Sequence, residues 1–149
     1  MRLALPVAAA LVLGCGDVTG AGPFALDLSV TPHAIASGDT ATIALRVANV
    51  SPLIQQVQFD CQDPFFVINA QGDTVVGGGP AHLICIPETP PPVPLVPFDT
   101  LRQTYRWTGI GHQNQDGIIV TGPLPAGLYR VVSRLGGLEW PADTVRILP

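Results

Sequence analysis

The sequence predicts an all-β fold, and three observations lead to that expectation. Short apolar runs are separated by glycine and proline, and the chain holds 16 residues of each type. Several of these runs alternate apolar and polar residues with the two-residue period of a half-buried strand. Beyond the N-terminal segment, no window keeps the spacing of an amphipathic helix. About seven to nine short strands with frequent turns predict an antiparallel β-sandwich of immunoglobulin type.

The N-terminal segment predicts export. Arg2 precedes an apolar stretch that is too short to span a bilayer, and residues 12–15 read Val-Leu-Gly-Cys. A positive charge, a short apolar run and a small residue before the cut are typical of a secretory signal. The last four residues resemble the lipobox of bacterial lipoproteins, in which the cysteine is lipidated and becomes the new N-terminus. Residues 1–14 are therefore predicted to be the signal peptide and Cys15 the lipid-attachment site. An ordinary signal peptide with a nearby cysteine is the alternative.

The rest of the chain is predicted to be a tether and one domain. Residues 15–23 are small and glycine-rich, as expected of a flexible lipid-proximal tether. Residues 24–149 are long enough for a single β-sandwich. We expect a membrane-anchored lipoprotein held by its lipid alone, because no later segment is long and apolar enough to cross a bilayer. Gly16 rather than aspartate after the cysteine favours the outer membrane or periplasmic side.

The charge pattern argues against one class of partner. Every basic residue is arginine, and the chain carries 7 basic residues against 11 acidic ones. Binding to nucleic acid requires a basic surface, so no nucleic-acid partner is expected.

Cys61 and Cys85 are the two cysteines that remain after the signal. An exported chain lies in oxidising surroundings, where an even pair is most simply a disulfide. Such a bridge contributes about 3 kcal/mol in the chain-entropy model. A metal site is the alternative, but it would need further ligands at close spacing, and only His82 lies near Cys85.

The predicted strands follow one another at short intervals. They are expected at residues 24–31, 40–50, 54–59, 65–68, 74–76, 82–86, 101–108, 128–135 and 143–148. Residues 109–122 are expected to form a long hairpin or loop that carries Asp116-Gly117. A calcium loop is the alternative there, but its ligand register is missing and Asp-Gly is a favoured hairpin turn.

The sequence contains no catalytic motif that we recognise. Gly-x-Ser-x-Gly and His-x-x-x-His are both missing. The histidines fall singly, in a loop, at a strand start and in a polar turn: His33, His82 and His112. We therefore expect no enzyme, no metal and no cofactor, and a protein partner in the cell envelope.

The segment Pro87–Pro97 contains six prolines and is expected to be an extended, polyproline-like connection. A rigid loop of this kind loses little entropy on binding and would present Val93, Leu95 and Val96 to a partner. A stiff connector between sheets is the favoured interpretation.

The arginine spacing suggests a second surface. Arg102 and Arg106 share one face of their predicted strand, and Arg130 and Arg134 share one face of theirs. If the two strands pair, these arginines line one outer sheet face and form a basic patch for an acidic partner. Separate solvated arginines, each offset by a nearby carboxylate, are the favoured interpretation.

A series of short motifs runs through the domain. They are Leu45-Arg46-Val47-Ala48-Asn49-Val50-Ser51, Phe59, Phe65-Phe66-Val67-Ile68, Gln71-Gly72-Asp73, Leu101-Arg102-Gln103-Thr104-Tyr105-Arg106-Trp107 and Pro125-Ala126-Gly127-Leu128-Tyr129-Arg130-Val131. Their order resembles the intracellular proteinase inhibitor family, the BsuPI-type domain. The resemblance implies proteinase inhibition, and it maps no inhibitory residue onto this chain. It also implies a buried Trp107 and a Tyr129 hydroxyl that hydrogen-bonds back to the chain, as in a tyrosine corner.

The end of the same series has a second resemblance. The order of tryptophan, glycine and Pro-x-Gly-x-Tyr is similar to the immunoglobulin-like domain of flagellar hook-capping proteins and of secretion-linked modules. This resemblance implies a structural or accessory envelope module without inhibitory activity, which stands as the alternative function.

Overall fold

A computed structural model describes residues 22–58, 65–77, 91–115, 118–134, 138 and 140–149, with backbone alone for 112–115 and 118–120. These residues form an all-β structure, as predicted, and none of them is helical. The strands are β1 (Phe24–Thr31), β2 (Ala34–Ala36), β3 (Ala41–Asn49), β4 (Gln55–Val57), β5 (Phe66–Ile68), β6 (Thr74–Val76), β7 (Val93–Leu95), β8 (Thr100–Trp107), β9 (Ile110–Gln115), β10 (Ile118–Pro123), β11 (Gly127–Val132) and β12 (Asp143–Leu148).

Two sheets make up the body of the domain. The first has three strands in the order β1-β3-β8, and both of its pairings are antiparallel. The second has five strands in the order β2-β12-β11-β5-β6, where only β2 and β12 run parallel. Two smaller antiparallel pairs, β9 with β10 and β4 with β7, complete the described structure.

The core lies between the two sheets. Strand β3 buries alternate side chains, as predicted, and its residues Ile43 and Leu45 are almost inaccessible to solvent. From the second sheet Val67, Val131 and Val145 join the same apolar cluster. Burial of such side chains is the main favourable term in folding, at about 25 cal/mol per Å². The predicted β-sandwich is therefore confirmed as an all-β architecture, while its immunoglobulin-type strand order stays a prediction.

The proline-rich segment differs from the prediction. Its described part contains a strand, β7, which pairs with β4 so that Leu95 lies opposite Gln55 and Val93 opposite Val57. Strand β7 has one partner in its sheet, so Pro94, which lacks an N–H, can occupy it without breaking a second ladder. The polyproline-like prediction is thus wrong for residues 93–95.

Two predicted aromatic positions are confirmed. Trp107 is buried, and its Nε1 donates a hydrogen bond of 2.8 Å to the carbonyl oxygen of Ile110. The Tyr129 hydroxyl donates a hydrogen bond of 2.8 Å to the carbonyl oxygen of Pro125, four residues earlier. Burial raises the pKa of Tyr129, because the charged phenolate is poorly solvated there.

The hairpin prediction for residues 109–122 is also confirmed. Strands β9 and β10 pair antiparallel, with Gln115 opposite Ile118. Asp116-Gly117 itself lies outside the described residues, as do Cys15, Cys61, Cys85 and His82, so the lipid and disulfide assignments stay predictions.

Neither a membrane-spanning helix nor a metal cluster occurs in the described part of the chain. No helix there is long and apolar enough to cross a bilayer. No group of three or more histidine, cysteine, aspartate and glutamate side chains comes together there either.

Candidate interaction surface

The site is organised by one buried amide, the side chain of Asn49 at the end of β3. This residue is 1% exposed, and its Nδ2 donates to the carbonyl oxygens of Leu53 (2.7 Å), Leu95 (3.0 Å) and Val96 (3.1 Å). Its Oδ1 accepts hydrogen bonds from the backbone N–H of Ser51 (3.0 Å) and from the Ser51 hydroxyl (2.8 Å). Asn49 therefore joins the loop after β3 to the end of β7, because buried polar groups are stable only when they are paired.

The turn after β7 has an unusual backbone. The N–H of Asp99 donates to the carbonyl oxygen of Val96 (3.1 Å), which closes a four-residue turn with Pro97 second and Phe98 third. Phe98 has a φ of 63°, the left-handed region that a type II turn requires at its third position and that normally selects glycine. A bulky residue there costs about 1–2 kcal/mol. Such strain is concentrated at functional sites.

The strained turn belongs to a cluster of exposed apolar residues, which we call the apolar end. Phe98 is 74% exposed, although an aromatic ring of its size is normally buried. The members of the apolar end, with their exposed fractions, are Val50 (49%), Leu53 (67%), Ile54 (63%), Val96 (52%) and Phe98 (74%). They lie on the two loops that Asn49 ties together, so they form one surface. Contiguous exposed apolar surface marks interaction sites.

The chain enters the domain beside the apolar end. Phe24 is the first residue of β1 and lies opposite Asn49 in the register. The N–H of Val50 donates to the carbonyl oxygen of Pro23 (2.8 Å), directly before that strand. The apolar end and the start of the described chain are therefore neighbours.

The predicted binding-loop residues have three different outcomes. Val96 is exposed and belongs to the apolar end, and its role in binding stays a prediction. Val93 is only half-buried, and Leu95 is 3% exposed and part of the core. The prediction that Leu95 meets a partner is therefore wrong, because the pairing of β7 with β4 turns this side chain inward.

The sequence interpretation missed four of the five members of the apolar end. The sequence feature that could best have predicted the apolar end is the segment Val96-Pro97-Phe98-Asp99. In a type II turn with Pro97 second, Phe98 occupies the third position, which is suited to glycine. Ile54 falls at the start of the strand predicted for residues 54–59, whereas the structure places it in the loop before β4. The long-range hydrogen bonds of Asn49 and the pairing of β4 with β7 bring the two segments together.

The predicted four-arginine face is wrong. Arg102 and Arg106 lie on β8, which pairs with β3 in the first sheet. Arg130 lies on β11, which pairs with β5 and β12 in the second sheet, and Arg134 is exposed just after it. The two strands do not pair, so the arginines lie on different outer faces of the sandwich.

Two of the basic side chains of the first sheet, Arg46 and Arg102, do lie side by side. Arg46 on β3 lies directly opposite Arg102 on β8, and Asp27 on β1 lies opposite Arg46 on the other side. All three side chains are exposed. Like charges in directly opposed positions destabilise a sheet, and one carboxylate partly offsets the two guanidinium groups. Arg102 lies two residues after the start of β8 and Arg46 three residues before the end of β3, and both of these strand ends adjoin the apolar end.

An open cleft lies at the other end of the domain. It has a volume of about 630 Å³ and is lined by the turn before β6 and by the residues around the start of β11. The Leu124 N–H donates to the carbonyl oxygen of Gly109 (2.9 Å), two residues after Trp107, so the cleft lies at the Trp107 end of β8. Its rim carries Asn69, Gln71 and Asp73, and we call it the polar cleft.

His33 has a structural role. Its Nδ1 lies 3.0 Å from the carbonyl oxygen of Thr144 and 3.6 Å from Oδ1 of Asp143. The same carboxylate accepts hydrogen bonds from the N–H groups of Val30 and Thr144, both at 2.7 Å. These contacts connect the first sheet to β12 of the second.

Comparison with family models and with curated protein sequences finds no match for this chain. Among solved structures, the fold resembles part of the Pseudomonas fluorescens alkylpurine DNA glycosylase AlkC bound to DNA containing an abasic site analog. The TM-score is 0.51 and the identity 10%, over 85% of this chain and 31% of that chain. It also resembles part of a β-glucosidase from Listeria innocua in complex with glucose, with a TM-score of 0.51 and 11% identity over 85% of this chain and 16% of that chain.

These structural likenesses concern the fold alone. The chain spans less than a third of the glycosylase and about a sixth of the glucosidase. At such low identity, the activities of those proteins are not transferred to this one.

Proposed function

We propose that this chain is an exported, lipid-anchored β-sandwich module that works by binding in the cell envelope, without catalysing a reaction. The apolar end carries the proposal, because its five exposed side chains lie on loops that a buried asparagine holds in place. Exposed apolar surface weakens solubility unless something covers it. A loop that is already ordered also loses little entropy on binding. Export and lipidation at Cys15 come from the sequence motif.

Proteinase inhibition is the specific form that the BsuPI-type resemblance implies. Val96 and Phe98 project from a turn that is closed by its own hydrogen bond and tied to Asn49. An inhibitor benefits from this preorganisation, since the protease then binds a segment that needs no further ordering.

A structural or accessory envelope module is the second candidate function. The exposed apolar side chains are divided between two loops, around Leu53-Ile54 and around Phe98. A surface made of two loops suits an extended contact, whereas a single protruding segment suits insertion into a cleft.

A pull-down from detergent-solubilised envelope tests the function. The lipidated wild-type chain is compared with Phe98→Ser and with Ile110→Ser, a matched control whose residue is 43% exposed at the opposite end. If the apolar end binds a protein, the wild type and the control retain the same envelope proteins and Phe98→Ser loses them. Captured material is assayed for residual protease activity, and a captured protease that is silenced supports inhibition. Equal capture by the wild type and both variants would contradict a protein contact at the apolar end.

Membrane fractionation tests the anchor separately. Cys15→Ala removes the proposed lipid-attachment atom, so this variant is expected to leave the membrane fraction. If it stays there in the same amount as the wild type, lipidation at Cys15 is wrong.

A further inference from the structure

The apolar end lies beside the point where the chain enters the domain, and this position indicates what the apolar end contacts, provided that the lipid anchor of the proposed function is present. We propose that the apolar end rests in the interfacial region of the lipid bilayer to which Cys15 is anchored. In this orientation the end of the domain that carries Asn49 contacts the bilayer, and the polar cleft at the other end faces the aqueous compartment.

The first argument is the length of chain between the lipid and the domain. Six residues lie between Cys15 and Gly22, the first described residue, so seven Cα–Cα steps join the two. Fully extended, these seven steps reach about 25 Å, which is the greatest distance that can separate Cys15 from Gly22. The lipid anchor therefore holds the point of chain entry close to the bilayer surface.

The second argument is which part of the domain lies at that point. The carbonyl oxygen of Pro23 accepts the hydrogen bond of the Val50 N–H, so the chain enters beside the apolar end. Strand β3 has nine residues and spans about 27 Å from that end to the other. An inverted domain would hold the point of entry, Pro23, about 27 Å above the bilayer, which a tether starting at Cys15 reaches only when it is almost fully extended. The upright orientation is the one that the tether favours.

The third argument is the chemistry of the surface. Aromatic and branched aliphatic side chains are the groups that bind the boundary between headgroups and acyl chains. Phe98 and its neighbours Leu53 and Ile54 are the most exposed large apolar side chains of the described structure. Arg102 lies two residues from the start of β8 and Arg46 three residues from the end of β3, so both lie about 7–10 Å from the same end along the strands. Their guanidinium groups are within reach of lipid phosphates.

Depth-dependent quenching tests the proposal on the processed, lipidated chain reconstituted in vesicles of phosphatidylethanolamine and phosphatidylglycerol that contain brominated lipid. Phe98→Trp and Leu53→Trp place an emitter in the apolar end, and Leu128→Trp places one at the opposite end. The native Trp107 and Trp140 are buried and present in all variants, so they give a common background. We expect the emission added at positions 98 and 53 to be largely lost and that added at position 128 to be unchanged.

The outcomes separate this inference from the proposed function. A chain that does not float with the vesicles at all has no lipid anchor, and both proposals fail. A chain that floats, while position 98 is quenched no more than position 128, keeps its anchor but has a solvent-facing apolar end. That result overturns the bilayer contact and leaves the apolar end to a protein or to a second copy of this chain.

Discussion

Asn49 is the residue on which the apolar end depends most. Two of its acceptors, the carbonyls of Leu95 and Val96, lie 46 and 47 residues away along the chain. The sequence indicated that a strand ends at Asn49, since Asn and Ser-Pro stop strands. It did not indicate this role, because nothing in a local pattern shows which distant carbonyls a side chain meets.

Substitution of Asn49 measures how strongly its contacts hold the two loops. Asn49→Ala leaves several buried backbone groups unpaired, and we expect it to lower the free energy of unfolding by about 3 kcal/mol. Urea denaturation measures the loss. Ser51→Ala removes a single, partly exposed hydroxyl, so about 1 kcal/mol is expected for it. Equal losses for the two variants would show that Asn49 has no special role.

Phe98 is predicted to serve binding and not folding. In Phe98→Gly the left-handed backbone is relaxed, which offsets the greater freedom of glycine in the unfolded chain. We expect the free energy of unfolding to change by less than about 1 kcal/mol, while the contact that the apolar end makes in the envelope is lost. A large drop in the denaturation midpoint would mean instead that the ring stabilises the fold.

Tyr129 is predicted to make stability depend on alkaline pH. Burial raises its pKa, so the unfolded chain releases the proton first, near pH 10. Stability is therefore complete below that pH and declines as the pH rises above it. Tyr129→Phe should cost about 1 kcal/mol at neutral pH through the lost bond to Pro125. The free energy of unfolding of this variant should also fall less steeply above pH 10 than that of the wild type. If the two proteins lose stability equally above pH 10, Tyr129 is not the group responsible.

At the scale of elements, alternation decided which strands were predictable. Strands β1 and β12 begin and end at the predicted residues, and β3 differs by one residue at each end. Each of them is long enough for a two-residue period to stand out. Strands β2 and β7 have no such local pattern, and their pairing partners are distant in sequence. Proline in β7 also argued against a strand.

The β9–β10 hairpin offers a matched pair of glycines, Gly111 and Gly122, which lie opposite each other. A Cβ at Gly111 would lie 2.7 Å from the carbonyl oxygen of Val75, whereas one at Gly122 would meet nothing within 4 Å. We expect Gly111→Ala to lower the free energy of unfolding by about 1–3 kcal/mol and Gly122→Ala to be neutral. Thermal denaturation of both variants measures the difference, and equal midpoints would contradict the close packing of β6 on β9.

At the scale of the molecule, the sequence predicted the fold class but not how its surfaces are combined. The buried face of β3 and the position of Trp107 follow from local patterns. The sheet to which each strand belongs does not follow from local patterns. The prediction of a four-arginine face was wrong because β8 and β11 belong to different sheets. The apolar end was missed for the same reason, since two loops become one surface only after the strands before them have paired.

The two ends of the domain differ in chemistry. One end combines the chain entry, the apolar end and the Arg46–Arg102 pair, and the other carries the polar cleft. If the apolar end meets the bilayer, the polar cleft is the surface that remains for a protein partner. A partner that binds in the cleft would leave the apolar end in contact with lipid.

Hydroxyl-radical footprinting in intact envelopes tests the central claim, that the apolar end is the covered surface of this protein. Radicals oxidise apolar side chains in proportion to their exposure, and Phe98, Leu53 and Ile54 are all more than 60% exposed in the free chain. We predict that these three side chains are protected in the envelope and become reactive once the protein is purified. Ile110 and Leu148, which are exposed elsewhere, serve as references. If Phe98 is oxidised in the envelope as readily as in the purified protein, the apolar end is not the interaction surface.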